Sequence, residues 1–382
     1  MQNQIPKNWQ KVKLGEVLKI RRGASPRPIH EYITSTGMPW LKIADVTSSD
    51  SRYVDSTNEC IKQEGVSKSV VVKPGDIILS NSATPGLPRF MRITACVHDG
   101  WLILEPKDNA IDKNFLYYRL IVDRKKLISN VTGAIFDNLK TDVLREHEVL
   151  LPHIGEQKII ASILSAFDDK IELNNKIAKT LEEMAQVIFK EWFALSAIAL
   201  AKEGKLSDIA IITMGQSPAS EFYNQKNEGL PFHQGVTNFG NRFPRHEIYC
   251  TQNNRVAEKG DILFSVRAPV GRLNIADRKI SLGRGVAGIR HRKNYQSYLY
   301  YLLKKLFKKE DSLGGGSVFP SVTKNDMENM RILIPNEEVV ERFENIVRDI
   351  DRKIVILEKE NQKLAAFRDL LLPKLMKGEI RI

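Results

Sequence analysis

Cysteine is scarce in this chain, which has only Cys60, Cys96 and Cys250 among its 382 residues. Three scattered thiols provide neither a disulfide framework nor the paired spacing of a zinc site. Apolar runs are short too, and none approaches the ~20 residues of a membrane-spanning helix. Residues 1–14 lack the apolar core of a secretory signal. We therefore expect a cytoplasmic protein whose cysteines stay reduced.

Acidic residues are outnumbered, because 46 Asp and Glu face 58 Lys and Arg, giving a net charge of +12. The excess is uneven: +5 in residues 1–152, −2 in 153–204, +9 in 205–335 and 0 in 336–382. A basic excess favours a polyanionic partner. The distribution assigns that partner to the first and third segments.

Common catalytic motifs are missing as well. No G-x-G-x-x-G motif opens a helix, and the chain has no Walker A loop, no H-E-x-x-H pair and no methyltransferase tetrapeptide of the Asn/Asp-Pro-Pro-Tyr/Phe type. One constellation remains, since Asp76, Glu105 and Lys107 imitate the acidic pair and lysine of a Mg²⁺-dependent nuclease. Pro106 argues against this site, however, because proline lacks the N–H that a central strand donates to its neighbour. The second half of the chain repeats only Asp76, as Asp261. We predict no catalytic residue and no metal site, with a stand-alone nuclease as an alternative.

Two apolar stripes stand out among the features that are present. In each stripe the residues recur in steps of four and three, which is the heptad pattern of a helix buried along one narrow face. Pro373 predicts an early end to the second helix. The first stripe comprises Ile160, Leu164, Phe167, Ile171, Asn174, Ala178, Leu181, Ala185, Ile188 and Trp192, and the second comprises Phe343, Val347, Ile350, Ile354, Leu357, Asn361, Leu364, Arg368, Leu371 and Leu375.

An antiparallel pair of these helices aligns the stripes when the residue numbers in each layer sum to 535. This register puts Asn174 beside Asn361 and Phe167 beside Arg368. A buried amide pair fixes register and direction, because any slip leaves the amides unpaired. The alternative is that each asparagine is a polar residue tolerated in a hydrated layer. At 1.5 Å per residue the first stripe is ~48 Å long, which equals about 14 base pairs of DNA.

Residues 1–152 and 205–335 repeat one order of short strands and turns. A shared framework with divergent loops is typical of two related domains that bind different ligands. The loops at 52–66 and 240–254 do not match, and the glycines at 314–316 either form a turn or cradle a phosphate. The matching pieces are 13–17 with 205–209, 23–26 with 215–218, 74–80 with 259–265, 133–136 with 316–319, and 150–152 with 333–335.

These motifs resemble the specificity subunit of type I restriction–modification enzymes. The carriers are Leu-Gly-Glu-Val at 14–17, Gly-Asp-Ile-Leu at 260–263 and the tail Leu-Pro-Lys-Leu-Met-Lys-Gly-Glu-Ile at 372–380. The resemblance covers the whole chain. It implies an α+β fold with two pseudo-two-fold-related target-recognition domains, 1–152 and 205–335. An intramolecular antiparallel coiled coil, formed by the helical spacer regions 153–204 and 336–382, would join them.

The resemblance also implies a function and partners. Such a subunit reads a split DNA target, one half-site per domain, and positions two methyltransferase subunits and the restriction subunits. It needs no cofactor itself, and S-adenosylmethionine, ATP and Mg²⁺ belong to the partners. A scaffold that binds DNA without reading its sequence remains a further alternative.

Loop arginines are the candidates for DNA contact, because guanidinium groups bind phosphates and base edges. Amide and hydroxyl side chains nearby are candidate readers of bases. The candidates are Arg21, Arg22, Arg27, Asn81, Ser82, Arg89 and Arg92 in the first domain, and Gln216, Arg242, Arg245, Arg267, Arg272, Arg284 and Arg290 in the second.

Overall fold

The computed structural model describes residues 8–47, 51–129, 138–194, 201–312 and 321–382, except for the side chains of 308–312. The repeated pieces 133–136 and 316–319 and the glycines at 314–316 lie outside these residues. The chain forms two compact units: unit 1 contains residues 1–175 and 358–382, and unit 2 contains 176–357. Each unit therefore combines one repeated segment with parts of two long helices, α6 (Ile154–Trp192) and α10 (Glu337–Met376).

Unit 1 is built mainly from short strands. Its shorter helices are α1 (Leu14–Val17), α2 (Ile43–Thr47), α3 (Gln63–Val66), α4 (Lys113–Ser129) and α5 (Thr141–Glu146), with a 3₁₀ turn at Ile29–Glu31. Its strands are β1 (Gln10–Lys13), β2 (Leu18–Arg22), β3 (Ile33–Thr34), β4 (Met38–Leu41), β5 (Tyr53–Val54), β6 (Glu59–Ile61), β7 (Val70–Val72), β8 (Ile77–Ser80), β9 (Pro88–Met91), β10 (Ala95–Val97), β11 (Trp101–Pro106) and β12 (Glu148–Leu151).

Three sheets organise the described part of unit 1. Strand β1 pairs with β12, and two five-stranded sheets have the orders β3-β6-β4-β10-β7 and β2-β11-β8-β9-β5. Strand β8 is a continuous apolar run because both of its faces are covered. Ile77 and Leu79 join the core formed with α4, α6 and the end of α10, whereas Ile78 joins a second core with Leu41 and Val97.

Unit 2 repeats most of this order, although its described residues show no counterpart of α2, α3 or β5. Its shorter helices are α7 (Leu206–Ile209), α8 (Gln296–Ser312) and α9 (Lys324–Glu328), with a 3₁₀ turn at Ser220–Phe222. Its strands are β13 (Lys202–Lys205), β14 (Ala210–Met214), β15 (Tyr223–Asn224), β16 (Leu230–His233), β17 (Tyr249–Cys250), β18 (Val256–Ala257), β19 (Ile262–Ser265), β20 (Leu273–Ile275), β21 (Ile280–Leu282), β22 (Val286–His291) and β23 (Arg331–Ile334). Strand β13 pairs with β23, and the larger sheets have the orders β14-β22-β19-β20 and β15-β17-β16-β21-β18.

Within unit 1, α6 and α10 pair in antiparallel fashion. Arg368 donates to Asp168 at 2.5 Å and Asn174 donates to Asn361 at 2.9 Å, so numbers fall along α10 as they rise along α6. Asn174 is fully buried and also donates to Glu360 at 2.9 Å. The two asparagines therefore meet in the layer where the residue numbers sum to 535.

Within unit 2 the same two helices contact through aromatic rings. Phe343 on α10 lies 6.3 Å from Trp192 on α6 between ring centroids, and 5.5 Å from Phe189. The numbers of Trp192 and Phe343 also sum to 535. The predicted fold class is confirmed: the protein is α+β, with repeated domains and antiparallel pairing of two long helices.

The end of α10 differs from the prediction. The helix continues through Pro373 to Met376, so the predicted early end was wrong. Leu372, Leu375 and Met376 are buried in the unit 1 core, and Arg119 donates to the Met376 carbonyl at 2.9 Å. These contacts offset the one backbone hydrogen bond that a proline removes near a helix end.

Cys60, Cys96 and Cys250 are all free. Among the helices of the described ranges, none has both the length and the apolar character needed to cross a bilayer.

Candidate nucleic-acid interface

A glycine turn closes the end of the main strand pair in each unit. Gly23 follows β2 and its amide donates to the Trp101 carbonyl at 2.8 Å; Gly215 follows β14 and donates to the Val286 carbonyl at 3.0 Å. A Cβ at either glycine would lie 2.1 Å from a backbone carbonyl oxygen, so only glycine fits. The close approach holds each Gly-x-Ser-Pro turn against the turn that precedes β11 or β22.

In unit 1 several predicted contact residues meet at Asp99, which lies between β10 and β11. Its backbone carbonyl accepts hydrogen bonds from Arg22 Nε at 2.8 Å and Asn81 Nδ2 at 3.1 Å. Its carboxylate accepts one from the Ser25 hydroxyl at 2.7 Å and lies 3.9 Å from Arg22 and 3.6 Å from Arg27. The Ser25 hydroxyl is the main reason why the pKa of Asp99 lies below its ordinary value. The carboxylate is therefore ionised at neutral pH.

A cleft of about 900 Å³ opens beside Asp99, and we call it the Asp99 cleft. Ser82, Trp40, His98 and Lys42 contribute to its walls. The rings of Trp40 and His98 lie 6.2 Å apart, and burial lowers the pKa of His98. A cleft with an aromatic wall, a neutral imidazole and basic groups at its rim can receive the edge of a nucleobase.

Unit 2 has a basic residue in the turn that corresponds to Asp99. Arg284 lies between β21 and β22, its amide donates to Ser217 Oγ at 3.1 Å, and its side chain is exposed. Gln216, Arg267 and Arg272 are exposed on adjoining loops. This end of unit 2 therefore presents positive charge from its turns.

Three predicted contacts are turned inward, and the structure corrects their assignment to the DNA surface. Arg89 is 8% exposed, Asn81 is 3% exposed and Arg242 is 1% exposed. Arg89 donates to the carbonyls of Pro88 at 2.9 Å and Val46 at 3.3 Å. Because these donors are used inside unit 1, Arg89 holds a loop in place.

Other predicted residues lie at intermediate positions. Arg92 donates to Glu172 at 2.5 Å, and Arg290 makes two hydrogen bonds of 2.6 and 2.8 Å to Asp261. Arg21 and Arg245 are exposed, and Arg21 lies 3.9 Å from the Glu105 carboxylate. The predicted candidates are thus distributed between a surface group at the glycine turns and structural ion pairs elsewhere.

A buried arginine anchors the repeated segment of each unit to the long helices of that unit. In unit 2, Arg242 donates to Tyr301 at 3.3 Å and to Asp351 of α10 at 2.5 Å. Arg52 occupies the corresponding place in unit 1, donating to Tyr118 at 3.4 Å and to Asp169 of α6. Arg52 was not predictable as the counterpart of Arg242, because the sequences of the loops around the two arginines do not match.

The chain matches the family model for the type I restriction modification DNA specificity domain twice, over residues 6–183 and 201–366. It belongs to the family of type I restriction–modification specificity subunits. A relative from Methanocaldococcus jannaschii, named for the specificity subunit of the type I restriction enzyme MjaX, is 32% identical over 417 residues, covering 99% of this chain and 95% of that protein. The type I restriction enzyme HindI specificity subunit of Haemophilus influenzae is 22% identical, covering 98% of this chain and 100% of that protein.

A solved structure supports the fold. The S subunit of a type I restriction–modification system from M. genitalium has a TM-score of 0.59 and 18% identity, with 98% of this chain and 97% of that chain covered. As a specificity subunit, the protein recognises the DNA target and works with other restriction–modification subunits. The prediction of a non-catalytic, DNA-binding subunit is confirmed by this family membership.

The nuclease alternative is not supported for this specificity subunit. Lys107 donates to the carbonyl of Gly15 at 2.8 Å, and the Asp76 carboxylate accepts the amide of Lys73 at 2.8 Å within a turn. Across the described ranges, His, Cys, Asp and Glu side chains nowhere form a group of three that could hold a metal ion.

Asp99 and Ser25, which organise the surface of the specificity subunit, were not among the predicted contact residues. A usable signal existed, because Ser25 and Ser217 occupy the same place in the repeated Gly-x-Ser-Pro turn. A serine that occurs in both turns, two residues after a position where only glycine fits, indicates that its hydroxyl forms a hydrogen bond that stabilises the turn.

Proposed function

We propose that each recognition domain reads one half of a split DNA target through the loops around its glycine turn. The observation that carries this proposal is that the two domains share a framework but present different side chains at its edge. Unit 1 presents Arg22, Arg27 and Asp99, and unit 2 presents Arg267 and Arg284. Phosphate contacts from the exposed arginines supply affinity, and contacts with base edges supply sequence preference.

A binding selection tests the split target. The full-length protein is incubated with duplexes that carry a randomised region, and the bound molecules are sequenced. We expect two short conserved blocks separated by a fixed number of base pairs without preference. One continuous block would contradict the proposal, and a pool without any consensus would favour a non-specific scaffold.

We further propose that two methyltransferase subunits bind exposed apolar residues of α6 and α10. Leu173, Phe367 and Leu370 are 52%, 57% and 56% exposed in unit 1, and Val187 and Ile356 are 59% and 58% exposed in unit 2. Large apolar side chains that are exposed on a helix are removed from water when a partner subunit covers them, which favours binding. Leu372, Leu375 and Met376 of the C-terminal tail have a different role, because they pack inside unit 1.

The proposed complex also accounts for cofactors and location. Restriction subunits join the assembly, and the partner subunits bind S-adenosylmethionine, ATP and Mg²⁺. The specificity subunit contributes the choice of DNA site, and the complex acts in the cytoplasm, where the three free cysteines stay reduced.

Substitution on α10 tests the methyltransferase contact. The variant Phe367→Glu places a charge on the proposed contact surface. Binding of a methyltransferase subunit would bury this charge without a compensating group, which costs free energy. We expect loss of co-purification with the methyltransferase subunits, while the thermal unfolding midpoint of the isolated variant stays near that of the original chain. The matched control is Ile211→Glu, an equally apolar and 48% exposed position on β14. Equal recovery of the complex with both variants would contradict this contact.

A further inference from the structure

The two recognition domains differ in charge at equivalent backbone positions. In unit 1 the amide of Ala24 donates to the Val97 carbonyl at 3.2 Å, and in unit 2 the amide of Gln216 donates to the Leu282 carbonyl at 2.9 Å. With the glycine contacts described above, these bonds align the turn at 98–100 with that at 283–285. Asp99 and Arg284 therefore occupy the same place in the two domains.

The neighbouring strand ends differ in the complementary way. Arg22 is the last residue of β2 and pairs with Leu102, whereas Met214 is the last residue of β14 and pairs with Ala287. Unit 1 thus presents its cation from the strand and an anion from the turn. Unit 2 presents an apolar side chain from the strand and its cation from the turn.

Arg22 is oriented before any DNA binds. Its Nε donates to the Asp99 carbonyl at 2.8 Å, and its Nη2 lies 3.9 Å from the Asp99 carboxylate, yet the side chain is 55% exposed. A guanidinium has five N–H donors, so its terminal nitrogens keep donors for a ligand. Fixing the fork in advance reduces the entropy lost on binding.

The ionised Asp99 also selects the kind of ligand that Arg22 can meet. A phosphate approaching Arg22 would come close to a second anion, which raises the energy of that contact. The neutral edge of guanine, with its O6 and N7 acceptors, matches the guanidinium fork without this repulsion. The charge pattern therefore favours a base over the DNA backbone at this position.

Arg284 is fixed through its backbone and not through its side chain. The glycines on both sides of it pack on the backbone of Gln234, since a Cβ at Gly283 or Gly285 would lie 2.7 or 2.2 Å from a backbone atom of that residue. The side chain extends from this fixed turn and is exposed. In the described ranges, no carboxylate pairs with it.

We infer that Arg22 in unit 1 and Arg284 in unit 2 each recognise a guanine in their own half-site, with Asp99 as the positioning residue for Arg22. This inference rests on the proposed function, because it assigns bases within a split target. The two arginines reach equivalent places in the fold from different segments. Arg22 comes from the strand that precedes the glycine turn, and Arg284 comes from the turn that packs against it.

Substitution by lysine tests the assignment, because lysine keeps the charge but lacks the bidentate fork. The full-length variants Arg22→Lys and Arg284→Lys are compared by binding selection. We expect each variant to lose its preference for guanine at one base pair of one half-site by about 5- to 150-fold, leaving the other half-site unchanged. The matched controls Arg145→Lys and Arg331→Lys, which are exposed arginines in units 1 and 2, should leave both half-sites unchanged.

Asp99→Asn tests the positioning role, since it removes the charge and leaves the backbone carbonyl in place. We expect weaker guanine preference at the base pair affected by Arg22→Lys, and no additional loss when both substitutions are combined. Additive losses would overturn the positioning role of Asp99.

The binding selections also distinguish failure of the guanine assignment from failure of the proposed function. If the unmodified protein selects a split target but the lysine variants keep its full guanine preference, the assignment of Arg22 and Arg284 is overturned while the proposed function stands. A split target without guanine in one half overturns the assignment for that unit. If the unmodified protein selects no split target, the proposed function fails first.

Discussion

The variant Asp351→Ala is expected to destabilise unit 2 by about 3–5 kcal/mol, because it leaves a buried guanidinium without its main partner. Arg242 is 1% exposed, and its other neighbours are Tyr301 at 3.3 Å and Glu182 at 3.9 Å. Burial by itself lowers the pKa of Arg242, but Asp351 and the hydroxyls of Tyr300 and Tyr301 outweigh it and leave the pKa raised. The charge is therefore present whenever the unit is folded.

The measurement is the free energy of unfolding in denaturant, followed by a probe in unit 2. Asp349→Ala is the matched control, because Asp349 lies two residues away on α10 and pairs with Arg352 on the exposed face. We expect the control to leave the unfolding midpoint nearly unchanged. The double variant Arg242→Met/Asp351→Leu should recover much of the lost stability, since no buried charge then remains unpaired. Equal effects of Asp351→Ala and Asp349→Ala would show that the anchor does not stabilise unit 2.

Replacing residues 205–335 with the corresponding segment of another specificity subunit should exchange one half of the DNA target completely. The ends of this segment lie side by side, because β13 and β23 pair with Lys205 opposite Arg331. The segment also contributes most of its own hydrophobic core, so an exchange transfers the loops together with the strands that support them. Binding selection on the chimaera should return one new block and one original block.

The anchor described above limits which donor segments can succeed. A donor needs an arginine and a tyrosine where this chain has Arg242 and Tyr301, or Asp351 loses its buried partners. Exchange of residues 1–152 is the reciprocal control and should alter the other block alone. A chimaera in which both blocks change would contradict the assignment of one half-site to each domain.

The fold was predictable to the extent that it depends on local chemistry. Heptad steps in the two stripes predicted α6 and α10, and repeated turn motifs predicted the doubled order of strands. The partnership of Asn174 with Asn361 followed from the register alone. The surface was harder to predict, because arginines at similar loop positions differ in exposure: Arg284 is exposed and Arg242 is buried.

The sequence by itself determined which segments form helices and strands, because periodicity and turn residues act over a few neighbours. Only the tertiary structure decided which polar side chains meet. Asp99 reaches Arg22 across 77 positions and Arg242 reaches Asp351 across 109. Contacts at such distances depend on how sheets and helices pack, and burial then separates an arginine that can reach DNA from one that holds the protein together.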